Sequence, residues 1–239
     1  ISKGAGHRQI EAPRVALKAI QKWLSHHLQR AWTPNENVFG FVPGRSHIDA
    51  AAKHLSSEWV FSVDLENFFP SVSIRRVKEA LRTVGYQTDK SVEILSTLCC
   101  LDNHLVQGSP TSPVLSNIVL KNVDQQLASI AAEKKIVFTR YADDIVFSGS
   151  GDIPHQTLTQ IKSVVSDDGW TLSERKERLS ETPNRLKVHG LLVHGRKLRL
   201  TKGYRNRIRA YRHLLKNEKI KEEDLSKIKG HLNYASQVE

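Results

Sequence analysis

Asp143 and Asp144 stand side by side, with Ile136-Val137-Phe138 before them and Ile145-Val146-Phe147 directly after. That pattern predicts a β-hairpin over residues 136–148 with both acids at its tip. Adjacent carboxylates repel, and a divalent cation removes the cost. Asp-Asp is also an ordinary turn dipeptide, so the pair alone does not specify chemistry. A third acid, Asp64, closes the run Trp59-Val60-Phe61-Ser62-Val63 and precedes Leu65. Residues 59–65 read as a buried strand, where a purely solvated acid is out of place. A strand lying beside the hairpin would bring Asp64 within reach of Asp143. Mg²⁺ is usually held by one or two carboxylates plus substrate phosphates. Two such ions about 3.5–4 Å apart stabilise the attacking and leaving oxygens of an in-line phosphoryl displacement.

Other elements must position these acids. Residues 13–31 show apolar recurrence at three-to-four spacing (Val15, Ala19, Ile20, Trp23, Leu24, His27, Leu28), with Pro13 suited to a first turn. Residues 35–46 are rich in Gly, Pro and Asn and read as a loop, and 48–55 as a short helix. Residues 73–84 form a helix capped by Ser73 and ended by Gly85. Residues 88–100, 113–132 and 155–166 read as further helices. Residues 186–193 and 197–200 read as a second hairpin around His194-Gly195. Thr201 caps a basic helix to Asn217, and 223–234 is a last helix. The order is mixed, which indicates an α+β fold with an antiparallel sheet packed on helices.

The 239 residues correspond to one large domain or a compact set of subdomains, and 39% are hydrophobic, enough for a core. The formal charge of +11 favours a polyanionic partner. From Arg196 to Lys219 there are ten Lys or Arg and one acid, Glu218. In the basic run, Tyr204, Ile208, Tyr211 and Leu215 recur as a packing stripe, with Arg205, Arg209 and Arg212 on another face. No apolar stretch is long enough for a transmembrane helix and no signal segment opens the chain, so a cytoplasmic protein without a membrane partner is expected. Cys99 and Cys100 are adjacent and read as small apolar residues of a reduced protein. The chain lacks Met and opens on Ile1, which reads as a start inside a longer gene product.

Several motifs stand in a fixed order around the acids. Tyr141-Ala142-Asp143-Asp144 resembles the YxDD box of reverse transcriptases. Val63-Asp64-Leu65-Glu66-Asn67-Phe68-Phe69-Pro70-Ser71 resembles their first acidic motif, and Gln107-Gly108-Ser109-Pro110-Thr111-Ser112-Pro113 their QGxPxSP segment. Gly169-Trp170-Thr171-Leu172-Ser173, leading to Lys176, is similar to the fourth motif, and Val188-His189-Gly190-Leu191 to the primer-grip region. The resemblance covers nearly the whole chain.

The resemblance implies a right-hand polymerase: fingers from 1–58 and 72–107, palm from 59–71 and 108–195, thumb from 196–239. Asp64, Asp143 and Asp144, with the backbone carbonyl of Leu65, would hold two Mg²⁺ ions, for which Mn²⁺ is a substitute. Lys3 and Arg8 would grip the triphosphate of a deoxynucleotide. Phe69 would lie under the sugar and exclude a 2′-hydroxyl. Gln107 and Gly108 would pack on the nucleotide, and Lys176 would protonate the leaving pyrophosphate. Val188, His189 and Gly190, with Arg205, Arg209 and Arg212 of the basic helix, would hold primer and template.

The 64–71 string, Cys99-Cys100, Arg140 and the segment 187–192 resemble the retron reverse transcriptases of bacteria. Their NAxxH and VTG motifs correspond here to Ala50-Ala51-Ala52-Lys53-His54 and Val188-His189-Gly190, so Ala50 and His189 depart from the pattern. That branch implies a structured non-coding RNA partner copied into attached single-stranded DNA, and an effector protein in anti-phage defence. Two alternatives stay open: a group II intron-like or other defence-associated reverse transcriptase, and a non-catalytic RNA-binding module of the same fold.

Overall fold

A computed structural model of the chain describes residues 2–3, 6–7, 10–217 and 221–238. Short strands β1 (Ser2–Lys3) and β2 (Gly6–His7) pair antiparallel ahead of α1 (Val15–Ala31). Helix α2 (His47–Lys53) opens on a capping box in which Ser46 and Asp49 satisfy each other's backbone N–H groups. Strand β3 (Trp59–Asp64) follows, then α3 (Ile74–Thr83) and α4 (Asp89–Cys99). Ser73 caps α3 as its sequence predicts, accepting from the Arg76 N–H at 3.5 Å.

The expected helix over 113–132 is divided at Leu120 into α5 (Ser112–Val119) and α6 (Lys121–Lys134). The hydrogen bonds Leu120 N–H to Ser116 and Asp124 N–H to Leu120 carry the chain through the break. Periodicity alone does not register so local a change. Strands β4 (Val137–Tyr141) and β5 (Asp144–Gly149) form the expected hairpin, followed by α7 (His155–Asp167).

Strand β6 (Arg178–Glu181) has no counterpart in the sequence reading. It pairs on one side only, with β3, and its four residues are mostly exposed. An edge strand carries charge and lacks the apolar run that marks a buried one. The hairpin expected over 186–193 and 197–200 is a three-stranded sheet instead: β7 (Lys187–Val188), β8 (Leu191–Leu192) and β9 (Arg199–Leu200). A two-residue turn at His189-Gly190, with φ of 49° and 83°, breaks the first run. Positive φ at both positions is the geometry of a tight type I′ hairpin. Helices α8 (Lys202–Lys216) and α9 (Glu222–Val238) complete the chain.

The main sheet is antiparallel, in the order β4-β5-β3-β6. Its pleat sends alternate residues to two cores. Trp59, Phe61 and Val63, with Ile145 and Phe147, join a large core with Leu115, Leu127 and Ile161 of the helices. Val60 and Val146, on the opposite face, join a second core with Val188, Leu191 and Leu200, plus Ile208 and Ala235 from the last two helices. Cys99 and Cys100 are free, and burial pushes their thiols up to about 11 and about 12, so both stay protonated. Among the described residues no helix is long and apolar enough to cross a membrane.

Candidate active site

The hairpin and β3 bring the three acids to one end of the sheet. Asp64 is the register partner of Asp144, and the Leu65 N–H donates to the Asp143 carbonyl at 2.9 Å. Tyr141 pairs with Asp144, so Ala142 and Asp143 form a two-residue turn, and Ala142 takes a φ of 57°. A non-glycine residue there stores strain and needs outside support. Arg140 supplies it. Its fully buried guanidinium donates to the Ala142 carbonyl at 2.9 Å and forks onto Asp124 of α6 at 2.6 and 2.7 Å. Gly40, from the expected loop, packs against the same turn: a Cβ there would lie 2.1 Å from the Ala142 nitrogen. Asn117 holds that loop by donating to the Gly40 carbonyl at 2.9 Å.

The acids open onto a cleft of ≈ 750 Å³. Asp64, Leu65, Phe69, Gln107, Asp143 and Lys176 line it, as do Glu11, Phe41, Glu66 and Arg175, which the sequence reading did not single out. Glu66 and Arg175 adjoin residues already chosen. Glu11 and Phe41 lie in segments with no motif, brought in by the fold: the Glu11 N–H bonds the Gln107 carbonyl at 2.9 Å, and the Phe41 ring lies 5.9 Å from Phe69. Phe68 and Phe69 both border the cleft but differ in burial: Phe68 is buried 6.1 Å from the Trp170 ring, whereas Phe69 is partly exposed. Gly108 stays outside the lining, with a φ of 130° and the Glu11 carbonyl 2.8 Å from where a Cβ would be. Its lack of a side chain admits the chain's own backbone. Arg8 lies outside the described residues, and of Lys3 only its place in β1 is described.

Segment Thr171 to Ser173 extends the site beside β3, with the Glu66 N–H bonding Thr171 and the Ser173 N–H bonding Asp64. A 3-10 turn (Glu174–Lys176) then delivers the Lys176 ammonium to the Asp64 carboxylate. Burial pushes the Asp64 carboxyl above the usual aspartate range; Lys176 opposes this, and the charges of Asp143 and Asp144 add to it. Asp144 meets the Nδ1 of His189 at 3.1 Å, a contact made by the unforeseen β7-β8 turn. The His189 side chain is 7% exposed, and its Nε2 is buried with no hydrogen-bond partner among the described residues.

Among the described residues no three acidic, histidine or cysteine side chains converge closely enough to hold an ion by themselves. A site filled together with substrate phosphates does not need a closed cage. The oxygen donors at the cleft suit a hard divalent cation, and Asp64, disfavoured as an anion by burial and by two neighbouring acids, is the group such a cation would relieve most. The residues therefore fit the group.

Val188 is buried in the second core beside the turn formed by His189 and Gly190. On α8, Ile208 is buried and Tyr204, Tyr211 and Leu215 are half-buried, which is the expected stripe, while Arg205, Arg209 and Arg212 are exposed. Thr201 caps the helix through the Tyr204 N–H at 3.4 Å.

A family model for "Reverse transcriptase (RNA-dependent DNA polymerase)" matches residues 1–219. The chain is 27% identical to the retron Ec86 reverse transcriptase of Escherichia coli, over 97% of this chain and 72% of that one. It is 30% identical to the retron Mx65 reverse transcriptase of Myxococcus xanthus, over 97% of this chain and 57% of that one. The fold is similar to that of telomerase from Candida albicans, with a TM-score of 0.53 and 10% identity over 79% of this chain and 38% of that one. It is also similar to a foamy viral protease-reverse transcriptase, with a TM-score of 0.51 and 15% identity over 81% and 30%. Five motifs in order, carried by a hairpin, a strand and a cleft that place them together, agree with these matches: the chain belongs to the reverse transcriptase family and is similar within it to the bacterial retron enzymes.

Proposed function

We propose that this chain copies a structured partner RNA into single-stranded DNA from deoxynucleoside triphosphates, by nucleotidyl transfer with two Mg²⁺ ions, as part of a retron in anti-phage defence. The observation that carries the reading is the gathering of Asp64, Asp143, Phe69, Gln107 and Lys176 around one cleft, with Asp144 paired to Asp64 in the sheet. Asp64, Asp143, Asp144 and the Leu65 carbonyl would hold the ions. When bound, the ions stabilise charge on the attacking and leaving oxygens of the displacement.

The remaining residues have separate tasks. Phe69 walls the cleft under the sugar and excludes a 2′-hydroxyl by collision. Gln107 packs on the nucleotide. Gly108 lets residues 10–11 close over the QGSP segment. Lys176 holds its ammonium against Asp64 at the cleft, where it would serve as proton donor to the leaving pyrophosphate. The turn Val188-His189-Gly190 meets the primer end, with His189 fixed by its contact to Asp144. Arg205, Arg209 and Arg212 face the phosphates of the duplex, gripping its shape and backbone with little sequence readout. This reading keeps fingers at 1–58 and 72–107, palm at 59–71 and 108–195, and thumb at 196–239.

Primer extension on an RNA template with Mg²⁺ tests the proposal. The wild-type protein should extend, and Asp143→Asn with Asp144→Asn should abolish synthesis while RNA affinity stays within a few-fold. A purified protein that extends no primer on any RNA template refutes it. Sequencing of co-purifying nucleic acid tests the retron part, for which a branched RNA–DNA molecule is expected.

A further inference from the structure

Helix α1 buries one narrow face and leaves the rest in water. Leu24 and Leu28 pack into the main core, and the buried Gln21 bonds the Leu98 carbonyl and the Ser109 hydroxyl at 2.7 and 2.9 Å. Gln21 thereby ties the helix to the QGSP segment of the active site. The outer face has a different composition. No acid occurs between Glu11 and Glu36, a stretch that holds Arg14, Lys18, Lys22 and Arg30 with His26 and His27. Lys18, Lys22 and His26 follow at steps of four and share one ridge. Among the described residues no acid pairs with Arg14, Lys18, Lys22 or Arg30, and acids on the neighbouring α4 are engaged elsewhere, Glu93 by Lys78 and Asp89 by Arg82.

Beside that ridge lie exposed rings and aliphatic groups. Trp23 is 62% exposed, Ile20 47% and Val15 87%. The Trp23 and His27 rings contact each other at 4.1 Å between centroids, which orders the platform in advance. Cores of protein–protein interfaces are depleted of lysine. A row of cations without acids beside an exposed aromatic surface fits a nucleic-acid strand, whose phosphates meet the cations and whose free bases stack on the rings. Stacking of that kind requires bases not already paired.

We infer that the outer face of α1 holds unpaired RNA, the template strand on its way to the active site. This rests on the function proposed above. In templated synthesis the template reaches the site unpaired and leaves it as a duplex, so a base-stacking surface belongs on the entry side. The helix starts close to the cleft. Glu11 lines the cleft, α1 begins four residues later, and Trp23 lies about 12 Å along the helix from Val15.

The test uses a DNA primer on RNA templates with a short or a long unpaired 5′ extension, and binding is measured by fluorescence anisotropy without deoxynucleotides or metal. Wild-type protein should bind the long-extension substrate more tightly. Trp23→Ala should weaken that substrate by about fivefold or more and leave the short one unchanged. Lys18→Ala with Lys22→Ala should lower the log–log salt slope on the long substrate by about 1.4. A 4-thiouridine in the extension should crosslink to the α1 peptide. Because Trp23 is mostly exposed, circular dichroism of the variant should match the wild type. The inference is overturned if Trp23→Ala binds both substrates as the wild type does, or weakens both equally. It is also overturned if wild-type self-association, read by sedimentation, is what the variant loses, which would give the face to a second copy. Primer extension on the short-extension substrate tests the catalytic reading separately, since it can fail while the binding result stands.

Discussion

Phe68 and Phe69 both border the cleft and differ in burial: Phe68 is buried near Trp170, and Phe69 is partly exposed beside Phe41. Their rings lie 5.1 Å apart and pack on the same core, so they differ in burial rather than in direction. The proposed sugar selection would therefore rest on Phe69, the more exposed of the two rings. Phe69→Ala should lower the preference for deoxynucleotides over ribonucleotides by about tenfold or more, measured as the ratio of kcat/KM in single-nucleotide incorporation. An unchanged ratio would move the wall to another residue. Asp144 differs from its neighbour in a comparable way. It is held by His189, whereas Asp143 faces the cleft. The two acids of the box thus enter any reaction from unequal positions.

At the scale of elements, the hairpin tip depends on supports from distant parts of the chain. Gly40 comes from a loop, Asp124 from α6, and Arg140 from the hairpin itself. A methyl group on Gly40 would meet backbone atoms at 2.1 and 2.9 Å, so the tip has to move. Gly40→Ala should cut the single-turnover extension rate by about a hundredfold, because displacement of a catalytic group by about 1 Å has that effect. Far-ultraviolet circular dichroism should stay near the wild type. A rate close to the wild type would show that the tip tolerates displacement. The buried Arg140–Asp124 pair is the other support. Arg140→Met strands a buried carboxylate and should destabilise the fold by about 3–5 kcal/mol in urea denaturation. Adding Asp124→Leu should recover much of that loss, since replacing both partners of a buried pair by apolar groups is close to neutral.

The whole molecule is organised by two cores sharing one sheet. A row of rings crosses between them. Tyr234 of α9 stacks on His47 at 5.5 Å, His47 lies 6.1 Å from Tyr141, and Tyr141 lies 5.3 Å from His189. The last helix is thereby joined to the hairpin through side-chain contacts. Nearby, His54 is buried with its ring nitrogens 2.7 Å from the hydroxyls of Ser148 and Thr139. Burial, helped by the charge of His189, lowers its pKa to about 3. In the unfolded chain a histidine takes its proton near pH 6.5. Below that pH the unfolded state binds a proton that the folded state refuses until about pH 3, so stability is lost as pH falls through this window. The contribution is at most about 1.4 kcal/mol per pH unit. Denaturation midpoints should fall between about pH 6 and pH 4, and His54→Gln should make that fall shallower. Equal slopes for the two proteins would contradict a neutral His54.

Much of this molecule is legible in its residues. Periodicity, caps and turn signals located nearly every helix, the hairpin that carries Asp143 and Asp144, and β3, because each of those elements has a buried face that writes a local pattern. The motif order identified the acids and the cleft wall for the same reason: short strings carry their chemistry wherever the chain takes them. What escaped was set by contacts between distant segments. The edge strand β6 has one partner and little burial, so it leaves no apolar run. The break at Leu120 and the turn at His189-Gly190 are choices of a few dihedral angles inside otherwise regular patterns. The support of the hairpin by Gly40 and Asp124, the pairing of His189 with Asp144, and the unequal burial of Phe68 and Phe69 depend on which surfaces meet. Local sequence specifies which residue types can do chemistry and which elements can carry them. Only the packing of those elements decided that Asp64, Asp143, Phe69, Gln107 and Lys176 face one cleft, because that outcome is a property of pairs of residues far apart in the chain.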